Sequence, residues 1–390
     1  MMVGTGHRPD FGIHLRTWKF SARIGDGGEQ SDLGPWPSSD DRRTPDDRGG
    51  HFLGGNLMQR REFISLAAAL GAAGLAPGLA FGAANRRTSH ATSAAFTAII
   101  SAVGKAEGIY EDAGLDVEIT TLQRGSEALQ ALLAGQIEFA EIAPAALIPA
   151  VAQGAEVKVI GIHSHGYYGK LIASEANKDL KTLEAFKGKK IGIQFGTGVH
   201  TTFMIILQKL GLRASDFELT NLRVSDMPTA MQSGSFDGVI GWEPMMTRIV
   251  SAGFGYEAIS SQDFETMAGV YYPLLLATKP ELVESDRELV QTYVTAWRRA
   301  QKFVETNQDQ TVEILKSQLG DIAGALDEET VRAVLYGGTY YDTVVLPQQG
   351  IDEMRDISAY LKAESVIQSE PDIERLLDMS FAEKAQADVG

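Results

Sequence analysis

The sequence predicts an α/β chain of two doubly wound units in series, followed by a helical tail. Three observations predict it. Short apolar runs that alternate as strands do are separated by stretches with apolar residues at helical spacing. That strand–helix–strand order runs from about residue 116 to 162 and restarts at Lys190. After Tyr272 the apolar spacing is that of helices. Strands alternating with helices favour mostly parallel sheets, because a parallel return needs a crossover.

In the first unit, Phe96, Ile99, Ile100 and Val103 share a helical face. Residues 116–122 alternate, with Val117 and Ile119 on one side, as a strand would. Gly125 turns the chain, and Ser126 is placed to cap the next helix with Glu127 at its positive end. Ala128, Leu129, Leu132 and Leu133 stripe that helix and Gly135 ends it. Residues 137–142 form a second strand, Pro144 opens a helix, and 157–162 form a third strand. The preceding stretch RRTSHATSAAF is poor in the apolar residues of a first strand, which leaves contacts there open.

The second unit opens with Ile191, Ile193 and Phe195 alternating over 190–195, followed by a Gly-Thr-Gly turn. Phe203, Ile206, Leu207 and Leu210 stripe the next helix, and Gly211 stops it. Residues 219–224 suit a strand, 228–232 a short helix and 239–242 a buried strand. In the tail, Leu289, Tyr293, Trp297 and Ala300 line one helix, and Ile351, Met354, Ile357 and Leu361 another. Pro371 fits the first turn of a last helix carrying Ile373, Leu376 and Leu377. The break between units lies near 165–178. The expected division is 85–172 with 275–390 as lobe 1 and its tail, and 173–274 as lobe 2. A chain crossing twice between lobes leaves a cleft, and ligands of such sheets sit beyond the strands' carboxyl ends.

The first 57 residues carry little apolar periodicity, so they bury too little surface to offset ordering. They are expected to be disordered, or to lie upstream of the true start at Met58. From Met58 the sequence MQRREFISLAAALGAAGLAPGLAFGAA has a basic start, a short apolar middle and a small-residue exit. Those are the three parts of an export signal, assigned to 58–84 with cleavage near Ala83. Its apolar run is short and weakly hydrophobic for a membrane span, so no stable membrane insertion is expected. RREFI, with Arg60 and Arg61, resembles the twin-arginine export motif, which implies the twin-arginine machinery as a partner and a periplasmic destination.

Composition excludes several function classes. With 51 acidic against 35 basic side chains, the formal net charge of -16 repels nucleic acid and anionic lipid. No cysteine is present, which removes disulfides, thiolate zinc sites and cysteine nucleophiles. No GxSxG, HExxH or P-loop pattern occurs, so neither an enzyme nor a cofactor is expected.

Several segments in order carry a family resemblance. GLDVEI, EALQALLAGQIEFAEIAP and QGAEVKVIG are similar to the first lobe of nitrate/sulfonate/taurine-type periplasmic binding proteins of ABC transporters. LKTLEAFKGKKIGIQFGTGVHTTF and MQSGSFDGVIGWEP resemble their second lobe. The resemblance covers about 94–279. Glu138 stands where that family usually has aspartate, and Ile109-Tyr110 where many carry an aromatic directly after the glycine. The resemblance implies a two-lobed periplasmic-binding-protein (venus-flytrap) fold. It also implies a monomer that captures a small anionic solute, such as a sulfonate, nitrate or carboxylate, for ABC permease and ATPase subunits. The alternatives are an aminopyrimidine or other nitrogen heterocycle as ligand, or a ligand-sensing subunit. Pyrimidine-synthesis enzymes share the fold, but their resemblance includes a cysteine-rich motif that this chain lacks.

Candidate ligand contacts follow from strand ends. Gly196, Thr197, Gly198, His200 and Thr201 join a strand to a helix, where free N–H groups favour an anion; a plain turn is the alternative. Ser126 occupies the matching turn of lobe 1, beside Arg124, which is either a counterion or a solvated charge. Ala143 and Pro144 end a lobe 1 strand. Trp242 and Glu243 end a lobe 2 strand, as cleft wall and charged contact, or as core packing and a hydrogen bond near the crossing. His163 and His165, with Tyr167 and Tyr168, lie at the first crossing, and Tyr271 and Tyr272 at the return. The alternate histidines suit a metal or a hinge; without a carboxylate pair nearby, the hinge is expected and no metal is assigned.

Overall fold

The computed structural model describes residues 85–93, 96–122, 125–318 and 326–390. The chain divides into Met1–Pro77 and Gly78–Gly390, and every described residue belongs to the second unit. The expectations for 1–57, for the signal at 58–84 and for Arg124 lie outside the described residues.

Ten strands form two sheets of five among the described residues. The first sheet takes β1 (Arg86–Ser93), β2 (Leu115–Leu122), β3 (Phe139–Ile142) and β4 (Lys158–Ser164). The second takes β5 (Lys170–Ala173), β6 (Lys190–Ile193), β7 (Glu218–Asn221), β8 (Gly238–Gly241) and β9 (Tyr256–Ile259). The chain then returns to the first sheet as β10 (Leu274–Thr278). The orders are β2-β1-β3-β10-β4 and β7-β6-β8-β5-β9, the same arrangement twice. In each, the fourth strand runs antiparallel to its neighbours and comes directly from a crossing.

The crossings are therefore residues 165–169 and 269–273. The expected boundary between 172 and 173 falls inside β5, whose backbone bonds go to β8 and β9 of lobe 2. The expected boundary between 274 and 275 likewise cuts the first residue from β10. The helix after β2 begins at Gly125, so Ser126 is an exposed residue of its first turn and not its cap.

The stretch judged too polar for a strand is β1, and it lies between β2 and β3. Thr88, His90 and Thr92 are buried there beside Ala91. Buried polar groups are tolerable when paired. His90 Nε2 donates to Glu141 Oε1 at 3.1 Å, and the Tyr293 hydroxyl donates to His90 Nδ1 at 2.8 Å. The Thr92 hydroxyl donates to Glu141 Oε2 at 3.0 Å, and the Thr88 hydroxyl donates to the Glu138 carboxylate. A polar ladder thus does what branched apolar side chains do in the other central strands.

The tail covers lobe 1. Its long helix, Arg287–Thr306, is capped by Asp286, whose Oδ1 accepts from the Leu289 N–H at 3.0 Å. Leu289, Tyr293, Trp297 and Ala300 are all buried against the helix Ile99–Ala106 and the sheet, as the spacing predicts. Full burial of a side chain the size of Trp297 is worth about 3–5 kcal/mol against truncation.

A later tail helix, Gln348–Ala363, touches both lobes. It packs on the helix Pro144–Ala152 of lobe 1 and on Gly198–Lys209 of lobe 2. Lys209 Nζ lies 3.3 Å from Glu353 Oε2 and 3.2 Å from Asp356 Oδ2. Glu353 is 2% exposed, and burial pushes its carboxyl above the usual range, although Lys209 pulls it back in part. A carboxyl raised in the folded state stabilises the fold below its unfolded value of about 4.3 and loses that contribution as pH rises through the folded value. Glu353→Gln should therefore gain melting temperature at pH 7 relative to wild type, and the gain should shrink toward pH 4. Paired thermal melts at the two values check this; a gain larger at pH 4 contradicts it.

Candidate functional site

The carboxyl ends of β6 and β8 bring the lobe 2 candidates together. After β6, Gly196 takes φ +74°, a conformation that favours glycine. Thr197 then caps the helix Gly198–Lys209: its hydroxyl accepts from the His200 N–H at 3.2 Å and donates to the Gln194 carbonyl at 2.8 Å. The next orphan donors, the N–H groups of Gly198 and Val199, have no acceptor among the described residues. Two aligned N–H groups at the positive end of a 12-residue helix suit an anion. Thr201 is buried in the second turn. His200 is half-buried, and loss of solvent lowers its pKa from the ordinary histidine value.

Gly198 also sets the position of a crossing. A Cβ there would fall 1.7 Å from the Tyr272 hydroxyl, so only glycine admits this approach. Tyr272 is buried, and its ring meets Tyr168 edge-on at 5.3 Å. Tyr167, from the outward crossing, donates its hydroxyl to the Val199 carbonyl at 3.1 Å. Both crossings thus press on the first turn that carries the free N–H groups.

On lobe 1, Ala143 ends β3 and packs against the lobe 2 core alongside Trp242, and Pro144 is buried at the start of its helix. That helix meets the helix Gly198–Lys209 directly. Trp242 is half-buried. Glu243 is engaged within lobe 2: Lys170 Nζ lies 3.0 Å from its Oε1, and the Thr247 N–H donates to its Oε2 at 2.9 Å. Ser126 stands exposed in the first turn of the lobe 1 helix that follows β2.

His163, in β4, and His165, in the crossing that follows, have separate protein partners. His163 is buried, bonded to Ser164 Oγ and the Thr97 carbonyl, each at 2.8 Å, and burial pushes its pKa down. His165 stacks on Tyr271 at 4.4 Å and Tyr340 at 5.0 Å, with Nε2 2.8 Å from Asp342 Oδ1. The Tyr167 N–H donates to Glu265 Oε1 at 2.6 Å, and Tyr340 donates to Glu265 Oε2 at 3.3 Å. Burial raises the Glu265 pKa despite those donors. Residues 165–168, 271–272, 265 and 340–342 therefore form one polar–aromatic joint. Among the described residues no group of three or more His, Asp or Glu is arranged to hold a metal.

Sequence reasoning missed Lys170, Glu265, Glu353 and Tyr340. Each acts through a partner at least 73 residues away, as Lys170 does with Glu243, and no local pattern marks such pairs.

Known proteins share this architecture. A candidate binding protein of Brucella abortus (strain 2308) is 29% identical over 210 residues, which are 53% of this chain and 63% of that protein. The match thus spans less than two thirds of the Brucella protein. The taurine-binding periplasmic protein of Escherichia coli (strain K12) is 24% identical over 249 residues, 63% of this chain and 74% of that one. The crystal structure of the periplasmic aliphatic sulphonate binding protein SsuA from Escherichia coli matches with TM-score 0.64. It is 17% identical and the match covers 75% of this chain and 92% of SsuA, which speaks for a common two-lobed fold. The family described as NMT1/THI5 like matches residues 95–311, more than half of the chain and both lobes. With nine of the ten described strands, all but β1, inside that match, the chain belongs to the NMT1/THI5-like family.

Proposed function

We propose that this chain is the extracytoplasmic solute-binding component of an ABC importer. It captures a small organic or inorganic anion between its lobes and passes it to a permease. The observation that carries the reading is the helix start at Gly198. Its two unpaired N–H groups lie at strand carboxyl ends, where the two crossings and the lobe 1 helix Pro144–Ala152 converge. Binding names among similar proteins, taurine and aliphatic sulphonate, point to the same chemistry. An anion touching both lobes would favour their closure, because only differential contact shifts such an equilibrium. Ser126 or Ala143 and Pro144 from one lobe, and Thr197, His200 and Trp242 from the other, are the proposed contacts.

A buried carboxylate such as Glu243 favours a cationic ligand when it lacks a donor of its own. Lys170 and the Thr247 N–H already supply it, which favours the anion. Calorimetry with taurine, alkyl sulfonates, nitrate, carboxylates and aminopyrimidines should show one site per chain for an anion. Binding confined to aminopyrimidines would reject the reading.

Export through the twin-arginine machinery to the periplasm is part of the proposal. No described helix is long and apolar enough to cross a membrane. Replacing Arg60 and Arg61 together by Lys should block recovery from the periplasm. Undiminished recovery of the double variant would refute the twin-arginine route.

A further inference from the structure

Phe195 is 43% exposed and belongs to none of the core clusters among the described residues. Three other large hydrophobics are as open: Val250, Tyr256 and Val366. Val250 lies late in the helix Met245–Ser251, Tyr256 at the first residue of β9, and Val366 just past the tail helix. Phe195 alone of the four sits in the turn between β6 and the helix Gly198–Lys209, one residue from the Gly196–Gly198 stretch.

The turn that presents it is held on both sides. The Phe195 N–H donates to Asn221 Oδ1 at 3.0 Å, and Gln194 Oε1 accepts from the Val224 N–H at 3.0 Å. Thr197 closes back on the Gln194 carbonyl. An exposed ring on a fixed backbone gives up little conformational freedom when something covers it. Among the described residues its ring partner is His200, with centroids 4.8 Å apart and planes at 38°. Loss of solvent lowers the His200 pKa, which favours the uncharged imidazole beside an apolar neighbour. Strand register adds Trp242. Ile193 pairs with Ile240, so Phe195 and Trp242 each stand two residues beyond a matched pair on adjacent parallel strands.

We propose that Phe195, with His200 and Trp242, seats the apolar or aromatic end of an organic anion whose charged end meets the Gly198 and Val199 N–H groups. The inference rests on the anion reading above and narrows it. The preferred ligands are sulfonates or carboxylates with a hydrocarbon or aryl body, ahead of nitrate or a one-carbon sulfonate. A bare oxyanion would use the N–H groups and leave the ring in water, whereas an aryl body would bury it.

The test is the ratio of benzenesulfonate to methanesulfonate affinity, read by calorimetry on the full chain, Phe195→Ala and Tyr256→Ala. Tyr256 is also 43% exposed but stands at the opposite end of its strand from the carboxyl edge, so it serves as the control. Wild type should prefer benzenesulfonate by about tenfold or more, the scale of one well-covered aromatic contact. Phe195→Ala should bring the ratio close to one, and Tyr256→Ala should keep it. Circular dichroism melts confirm that both variants fold. A ratio in Phe195→Ala equal to wild type overturns the proposal, as does a wild-type ratio near one; both leave the anion reading standing. Wild type that binds no anion in the panel removes the anion reading and this inference together.

Discussion

Replacing Lys170 by Met should cost about 3–5 kcal/mol of stability, the scale for stranding one charge of a buried pair. The Lys170 and Glu243 side chains are 11% and 9% exposed and meet at 3.0 Å, with Glu257 Oε2 at 3.2 Å from the same ammonium. Without the ammonium, Glu243 keeps the Thr247 N–H as its donor and is left near a second carboxylate, Glu257. Adding Glu243→Gln should recover much of the loss, since a neutral amide needs no counterion there. Burial lowers the Lys170 pKa, but Glu243 and Glu257 outweigh it and the net direction is upward. A raised lysine stabilises fully below its unfolded value of about 10.4 and stops doing so as pH climbs through the folded value. The deficit of Lys170→Met should hold from pH 7 to 9 and narrow only in stronger alkali. Denaturant titrations at these values measure it. A loss under about 1 kcal/mol, unaltered by Glu243→Gln, would show that the pair is worth no more than a surface one.

Gly198→Ala should weaken anion capture by about 100-fold or more. Hydrogen bonds to a charged group contribute roughly 1.5–3 kcal/mol each, and two N–H donors are displaced if the helix start moves. It must move, because the added methyl falls 1.7 Å from the Tyr272 hydroxyl and 2.7 Å from its ring carbon Cζ. Tyr272 is 1% exposed and packed by Tyr168, so the ring has little room to yield. Overpacking of this kind also costs about 1–3 kcal/mol of stability. Tyr272→Phe in the same chain should restore part of both, because it removes the nearest atom. Tyr272→Phe alone should cost less than Gly198→Ala, since it removes one hydroxyl and leaves the packing of the ring in place. Calorimetry of the three variants separates these effects. Full affinity in Gly198→Ala would place the anion elsewhere.

Turn chemistry made much of this legible beforehand. Gly196, with its positive φ, and the Thr197 cap stand where the sequence pattern places a strand-to-helix turn. The stripes of the long tail helix are equally plain, because one side faces a single core. What stayed hidden depends on distant partners. β1 reads as polar because Thr88, His90 and Thr92 are satisfied by Glu138, Glu141 and Tyr293. β5 is four residues long, within a stretch that reads as a break, and only its pairing with β8 and β9 makes it a strand. β10 is a short apolar run that helical context absorbs, and its antiparallel place between β3 and β4 has no local mark. Glu243 reads as an open carboxylate because Lys170 is 73 positions away.

The exchange of β5 and β10 governs the order in which the molecule can be completed. All five strands of the second sheet fall within residues 170–259, an unbroken interval nested inside the other lobe. The first sheet begins at Arg86 and lacks its fourth strand until Leu274–Thr278, and its covering helices extend to Val389. On a chain made from its amino end, the inner lobe has every strand before the outer lobe has its last. Loop closure favours the shorter interval, so the inner sheet is expected to form first and the outer sheet to await its late strand. β1 to β4 then pass that wait as an incomplete sheet, with β3 and β4 exposing the edges that β10 will fill.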